Sequence, residues 1–347
     1  MIKVLLVDDS PLALTILKRM LSSAGDIEVV GTAKNGKEAL GLIPDLDPKV
    51  ILSDLHMPVM DGLEFTKEVM DRYPRPILVV SVSVSESSLN VFNLLEAGAV
   101  DVFQKPRSGL EIEYLQETEE LIKKVRILSG VHVFRRAKPS SKFVVRSSEL
   151  KEFESRVTNH ALRIVVVGAS TGGPQALQQI LAQMPSSYPI PIICVQHIGE
   201  MFLPGLLEWL QSVCHLKVRV AEDGEMPVAG TVYFPPEGTH LIIDEGGRFR
   251  RSMEPPVNGH RPSITVTFKS VAERYGKGAI GVLLTGMGSD GAAGMKAIAD
   301  AGGTTIAQDE MTSIVFGMPK SAIELNAAGQ VLPLYEIAAM ILAIVKK

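Results

Sequence analysis

Short apolar runs ending in acidic or hydroxyl residues, separated by amphipathic stretches of helical length, constrain the first part of the chain most strongly. Lys3–Val7, Ile27–Gly31, Val50–Ser53, Ile77–Ser81 and Asp101–Phe103 read as strands. Pro11–Ala24, Lys37–Leu42, Gly62–Tyr73 and Ser87–Ala97 carry apolar residues at helical spacing between them. Near-continuous apolar strands alternating with helices imply a parallel, doubly wound α/β sheet. Ser10 ahead of Pro11 is a good helix start, and Gly25 a plausible stop.

Glu111–Leu128 is a charged amphipathic stretch that closes this unit. From Ser129 to about Ser155 the composition changes to a basic, serine-containing segment with Arg135, Arg136 and Lys138. The expected organisation is a first domain over 1–122, a linker over 123–157 and a second domain over 158–347. A chain of 347 residues suits two cores better than one. Arg163–Val167, Ile192–Val195, Val218–Ala221, Thr231–Phe234, His240–Ile243 and Ile280–Thr285 read as strands of the second domain. Pro174–Met184, Leu203–Cys214, Ile264–Tyr275 and Gly291–Ala301 read as its helices, so it too is expected to be doubly wound α/β.

Several function classes lose support at once. A net charge of -4 and a pI near 6.0 give no electrostatic case for nucleic acid. No apolar run reaches the roughly 18–20 residues of a spanning helix, so a cytoplasmic protein without membrane insertion is expected. Two cysteines, Cys194 and Cys214, are too few for a disulfide framework.

Parallel sheets bind ligands at the carboxyl ends of their strands. In the first domain those ends carry Asp8 and Asp9, Asp54, Ser81 and Lys105. Crowded carboxylates need a cation, and their hard oxygens suit Mg²⁺. A lysine and a hydroxyl beside them suit a phosphoryl group. Val7-Asp8-Asp9-Ser10, Asp54 through Gly62, Ser81 and Lys105-Pro106 together resemble a response-regulator receiver domain, whose sheet is flavodoxin-like. The resemblance implies Asp54 as phospho-acceptor, with Asp8, Asp9, Asp54 and the His56 backbone carbonyl around Mg²⁺. It implies Ser81 and Lys105 as the phosphoryl-sensing pair. One departure is Val102, where many receivers carry an aromatic residue three places before the lysine.

In the second domain, Gly168-Ala169-Ser170-Thr171-Gly172-Gly173-Pro174 joins a strand to a helix. A dinucleotide site would need an acid at the next strand end, which instead reads Gln196-His197, and a P-loop would need Gly-Lys-Ser/Thr. G-x-S-x-G also suits a nucleophile turn, although alone it suits a structural turn almost as well. His197 at the neighbouring strand end supplies a general base, and Asp290 after Ile280–Thr285 a carboxylate to orient it. Thr171 and the Met287 backbone N–H are expected on the oxyanion or substrate side. His260 and Arg261 lie in a polar loop that would face the cleft, whereas His240 reads as part of a structural turn.

Val167 through Gly173, Val195-Gln196-His197, Gly259 through Ser263 and Leu284 through Gly291 resemble the chemotaxis protein-glutamate methylesterases. This resemblance implies hydrolysis of glutamate methyl esters on chemoreceptor cytoplasmic helices, with methanol released and receptor glutamines deamidated. It implies Ser170 as nucleophile, His197 as base and Asp290 as orienter. No cofactor is expected for the esterase step. A chemotaxis histidine kinase would supply the phosphoryl group, with the unphosphorylated receiver restraining the catalytic domain. Thr265 departs from the family, which often carries aspartate there. A DNA-binding output domain is the rival from another class, but no short unit with a basic recognition helix is present.

Overall fold

A computed structural model of the chain describes residues 1–81, 88–106, 111–131, 133, 164–199 and 201–345. These divide into two compact units, each built on one large parallel sheet.

The first unit contains β1 (Ile2–Val7), α1 (Pro11–Ser22), β2 (Ile27–Ala33), α2 (Gly36–Leu46) and β3 (Val50–Ser53). It continues with α3 (Gly62–Arg72), β4 (Ile77–Ser81), α4 (Ser88–Ala97), β5 (Asp101–Gln104) and α5 (Glu111–Leu128). The strands pair in parallel in the order β2-β1-β3-β4-β5. Local chemistry starts the helices where expected. Ser10 accepts the Ala13 N–H at 3.3 Å, and at α2 Asn35 Oδ1 accepts the Glu38 N–H while the Glu38 carboxylate accepts the Lys34 N–H, both at 2.9 Å. α1 packs with α5, while α2, α3 and α4 pack in succession. Covered in this way, Val4 to Leu6 and Ile77 to Val79 are wholly buried, which is why these strands read as continuous apolar runs.

Two expectations need correcting here. α2 continues past Leu42, because Ile43 extends its buried face and Pro44 sits in the last turn. The domain boundary at 122 falls inside α5, so residues 123–128 belong to a helix and not to a connector. Leu121, Val125 and Leu128 continue one buried stripe across that boundary. Most of the expected linker, with His132 and His160, lies outside the described residues.

The second unit runs β6 (Ile164–Ala169), α6 (Gly173–Leu181), β7 (Ile192–Gln196), α7 (Leu203–Val213), β8 (Lys217–Val220) and β9 (Thr231–Phe234). Next come β10 (His240–Ile243), β11 (Phe249–Ser252), α8 (Ile264–Tyr275), β12 (Ala279–Leu283) and α9 (Ala292–Asp300). β13 (Thr304–Gln308), α10 (Met318–Glu324), β14 (Gln330–Leu332) and α11 (Leu334–Val345) complete it. The order β14-β13-β12-β6-β7-β9-β8 makes a seven-stranded sheet, parallel throughout. His240–Ile243 is not in that sheet. It pairs antiparallel with Phe249–Ser252 across a tight turn in which Gly247 takes φ +79. β6 has β7 on one side and β12 on the other, so its carboxyl end is the point where strand order reverses. No helix among the described residues is long and apolar enough to cross a membrane.

Candidate active site

Three strand ends meet at that reversal, and backbone hydrogen bonds hold them together. The Ser170 N–H donates to the Thr285 carbonyl at 3.0 Å, and His197 N–H to the Ala169 carbonyl at 3.0 Å. Leu284 N–H reaches the Gly168 carbonyl at 2.9 Å. The turn after β6 closes when Gly173 N–H bonds the Ser170 carbonyl at 2.7 Å, with Gly172 at φ +74. Gly172 also abuts Ile314, so both its φ and its lack of a side chain are used. Ser170, after β6, His197, after β7, and Asp290, beyond β12, are thereby gathered on one edge of the sheet.

His197 Nε2 lies 2.9 Å from Asp290 Oδ2, and both side chains are almost wholly buried. The other ring nitrogen, Nδ1, is buried without a hydrogen-bond partner among the described residues. An acid on Nε2 fixes the proton there and leaves Nδ1 with a free lone pair, the state a general base requires. Asp290 receives further donors. Oδ1 accepts from Ser263 Oγ, Thr265 N–H and Gly291 N–H, and Oδ2 from Ile264 N–H at 2.8 Å. Burial pushes the Asp290 carboxyl up. The bonds from His197, Thr265 and the first turn of α8 outweigh it and hold the group well below the usual carboxylate range.

The His260 ring stacks on His197 with centroids 3.7 Å apart and planes within 10°. His260 therefore lies against the imidazole of His197. Arg261 braces that loop by donating to the Met253 and Glu254 carbonyls at 3.3 and 3.4 Å. Arg261 also lines a small cavity with Gln196, Glu237 and Pro262. Thr171 is buried, its carbonyl accepting from Thr285 Oγ1 at 3.0 Å, and Met287 is half-buried in the 284–290 loop. Thr265 is buried and turned inward, with its Oγ1 accepting from Gly291 N–H at 2.8 Å. It shapes the Asp290 loop.

At the carboxyl edge of the first sheet, Asp8, Asp9 and Asp54 offer ligand oxygens that all lie within 4.8 Å of one another. Lys105 Nζ sits 2.7 Å from both Asp8 Oδ2 and Asp54 Oδ2. Burial raises the Asp54 carboxyl above its ordinary value, against the lowering effect of Lys105. Three convergent oxygen donors fit a hard divalent cation. Ser81 is buried at the end of β4 beside this cluster's strand, and the His56 side chain is exposed. Val102 and Phe103 are both buried. As successive strand residues they point to opposite faces, so Phe103 does not stand in for an aromatic at 102.

Residues 165–341 match the CheB methylesterase family. The chain belongs to the CheB methylesterase family. Residues 4–115 match the response regulator receiver domain, placing a receiver ahead of the CheB unit. A Methanospirillum hungatei protein named protein-glutamate methylesterase/protein-glutamine glutaminase 2 is 41% identical over 340 residues, 97% of each chain. A Syntrophus aciditrophicus relative of the same name, numbered 1, is 41% identical over 339 residues, 97% of each chain. The crystal structure of the Thermotoga maritima CheB methylesterase catalytic domain covers 53% of this chain and 98% of its own. Its TM-score is 0.51 at 41% identity.

Residues outside the sequence motifs also shape this CheB site. Gln196 Nε2 donates to the Ser170 carbonyl at 2.9 Å and to the His197 carbonyl at 2.8 Å, tying the two turns together. Its place beside His197 was the only signal. Gly286 faces Ser170 so closely that an added Cβ would lie 2.7 Å from both Ser170 Cβ and Met318 Sδ. Gly286→Ala is expected to displace Ser170 and lower kcat about 10- to 100-fold, read from initial rates of methanol release. An unchanged kcat would mean that the turn yields without cost.

Proposed function

We propose that this CheB protein hydrolyses glutamate methyl esters on the cytoplasmic helices of chemoreceptors, and deamidates receptor glutamines, in a phosphorylation-dependent way. The observation that carries this reading is His197, held through Nε2 by a fully bonded Asp290 and left with Nδ1 free at the strand end next to the Ser170 turn. Ser170 Oγ attacks the ester carbonyl while His197 Nδ1 takes its proton. The tetrahedral oxyanion is met by the Met287 backbone N–H and by Thr171. The same proton then goes to the leaving methoxide, releasing methanol. A water activated by Nδ1 hydrolyses the acyl-enzyme, which restores Ser170 and yields the free glutamate. With a glutamine substrate the leaving group is ammonia. Asp290 stabilises the imidazolium formed in both halves, and His260, stacked on that ring, supports the cation through its π face. His260 and Arg261 border the substrate cleft.

In the receiver, Asp54 accepts a phosphoryl group from a chemotaxis histidine kinase, forming an acyl phosphate as the donor's bond to phosphorus breaks. Mg²⁺ held by Asp8, Asp9, Asp54 and the His56 carbonyl would neutralise charge on the acids and the incoming group. Lys105 and Ser81 then hold the phosphoryl oxygens. The protein acts in the cytoplasm, where receptor helices and kinase are both accessible. The test is methanol release from methylated receptor membranes with and without a small-molecule phosphodonor. The ratio of the two rates should exceed one for wild type and fall to one for Asp54→Ala. A ratio unchanged by Asp54→Ala would remove the phosphorylation dependence.

A further inference from the structure

We propose that His240 and Ser263 are positioning residues that set the Asp290 carboxylate, and through it His197; this rests on the triad reading above. His240 opens β10 and is fully buried. Its Nδ1 accepts the Ser263 N–H at 3.1 Å, and its Nε2 lies 3.2 Å from the Pro255 carbonyl. A carbonyl can only accept, so Nε2 carries the proton and Nδ1 offers its lone pair. Two backbone groups thus fix the tautomer of a buried, neutral imidazole.

Ser263, also fully buried, is the N-cap of α8. Its Oγ accepts the Val266 N–H at 3.4 Å and lies 2.9 Å from Asp290 Oδ1. The carboxylate has no proton to give, so the single hydroxyl proton of Ser263 points at Asp290. Helix geometry provides no acceptor for the N–H of an N-cap residue, and water does not reach this one. His240 Nδ1 supplies that acceptor. The same helix start sends the Ile264 and Thr265 N–H groups to Asp290 at 2.8 and 3.1 Å. Three of the donors that orient Asp290 therefore come from a turn that His240 holds by its first backbone N–H.

The opposite ring nitrogen holds a second support. Pro255 lies in the segment leading to His260, whose ring stacks on His197. Val257 and His260 close that segment with reciprocal backbone bonds of 3.1 and 3.0 Å. One buried imidazole thus grips both the Asp290 side and the His260 side of His197. A histidine needed only to fill space would be met by apolar neighbours, and here both polar atoms are spent on these two loops.

Asparagine at 240 can place a carbonyl oxygen near the position of Nδ1, whereas glutamine reaches the position of Nε2. His240→Gln keeps a donor for Pro255 and leaves the Ser263 N–H unpaired; His240→Asn does the reverse. The full chain is assayed for methanol release from methylated receptor membranes, with thermal denaturation of each variant. His240→Gln is expected to lower kcat about 10- to 100-fold with KM within about twofold, because Asp290 loses its alignment while the substrate cleft is unchanged. His240→Asn should recover most of that loss. Ser263→Ala should resemble His240→Gln, and the double variant should be no slower than the slower single one, since both break the same link. Equal losses of kcat for His240→Asn and His240→Gln in step with their thermal midpoints, or additive losses in the double variant, would overturn the relay. Ser170→Ala run alongside separates the two readings. If it is inactive while His240→Gln turns over normally, only the relay fails. If it is active, the triad fails and the relay with it.

Discussion

Ser170→Ala abolishes methanol release, with turnover lower by about 10³-fold or more, while the protein melts at an unchanged temperature. The two halves of this expectation have separate causes. The proposed mechanism needs a covalent acyl-enzyme at Ser170, and alanine has no atom to form it. Stability of the turn draws on the backbone groups of Ser170 alone: its N–H on Thr285, and its carbonyl accepting from the Gly173 N–H and the Gln196 side chain. None of these bonds uses Oγ, so the variant keeps the glycine turn and the neighbouring strand ends. Turnover within about tenfold of wild type would show that another group is the nucleophile.

Asp290→Asn is expected to lose both activity and stability. Both carboxylate oxygens accept, and on each side at least one donor is a backbone N–H that cannot rotate away: Thr265 and Gly291 on Oδ1, Ile264 on Oδ2. An asparagine amide must turn its NH₂ toward one of these sides. Either choice sets donor against donor in a buried site, at a cost of about 1–3 kcal/mol for each group left unpaired. If NH₂ faces His197, the ring loses the acceptor for Nε2–H and the proton moves to Nδ1, where the base is needed. A loss of about 10³- to 10⁴-fold in kcat is expected. The pH dependence of stability follows with a definite sign. The folded carboxyl titrates below its unfolded counterpart, so the ionised Asp290 stabilises the fold fully above about pH 4. That contribution is lost as pH falls toward the depressed folded value. Thermal midpoints measured against pH should fall less steeply on the acid side for Asp290→Asn than for wild type. Parallel acid limbs would show that Asp290 is not preferentially ionised in the fold.

The alternation of apolar runs and amphipathic helices left little freedom for the first sheet. Its five strands lie where the runs are: the central strands β3 and β4 are buried throughout and β1 nearly so, giving a continuous apolar signal, while β2 at the edge is partly exposed. The second sheet was less legible. β14 is only three residues long, and β13 is threonine-rich, so neither carries a strong apolar signal. His240–Ile243 has the composition of a sheet strand but is turned back by the Gly247 hairpin. Ser170, His197 and Asp290 stood out as candidates because each follows an apolar run, Ser170 and Asp290 in loops of small residues and His197 directly after Gln196. Gln196, Gly286, Ser263 and His240 were not, since their roles depend on what faces them across gaps of 23 to 116 positions in the chain.

By itself, then, the sequence determined two doubly wound α/β units, an acid cluster on one and a candidate serine, histidine and aspartate at strand ends of the other. Local hydrophobic periodicity and strand-end chemistry suffice for that. Only the tertiary structure decided which imidazole nitrogen meets the acid and that His260 stacks on the ring. It also decided that a buried histidine and a helix cap stand behind Asp290. Those are questions of direction and distance between distant segments, settled by how β6, β7, β12 and α8 pack, and no local pattern of residues encodes them.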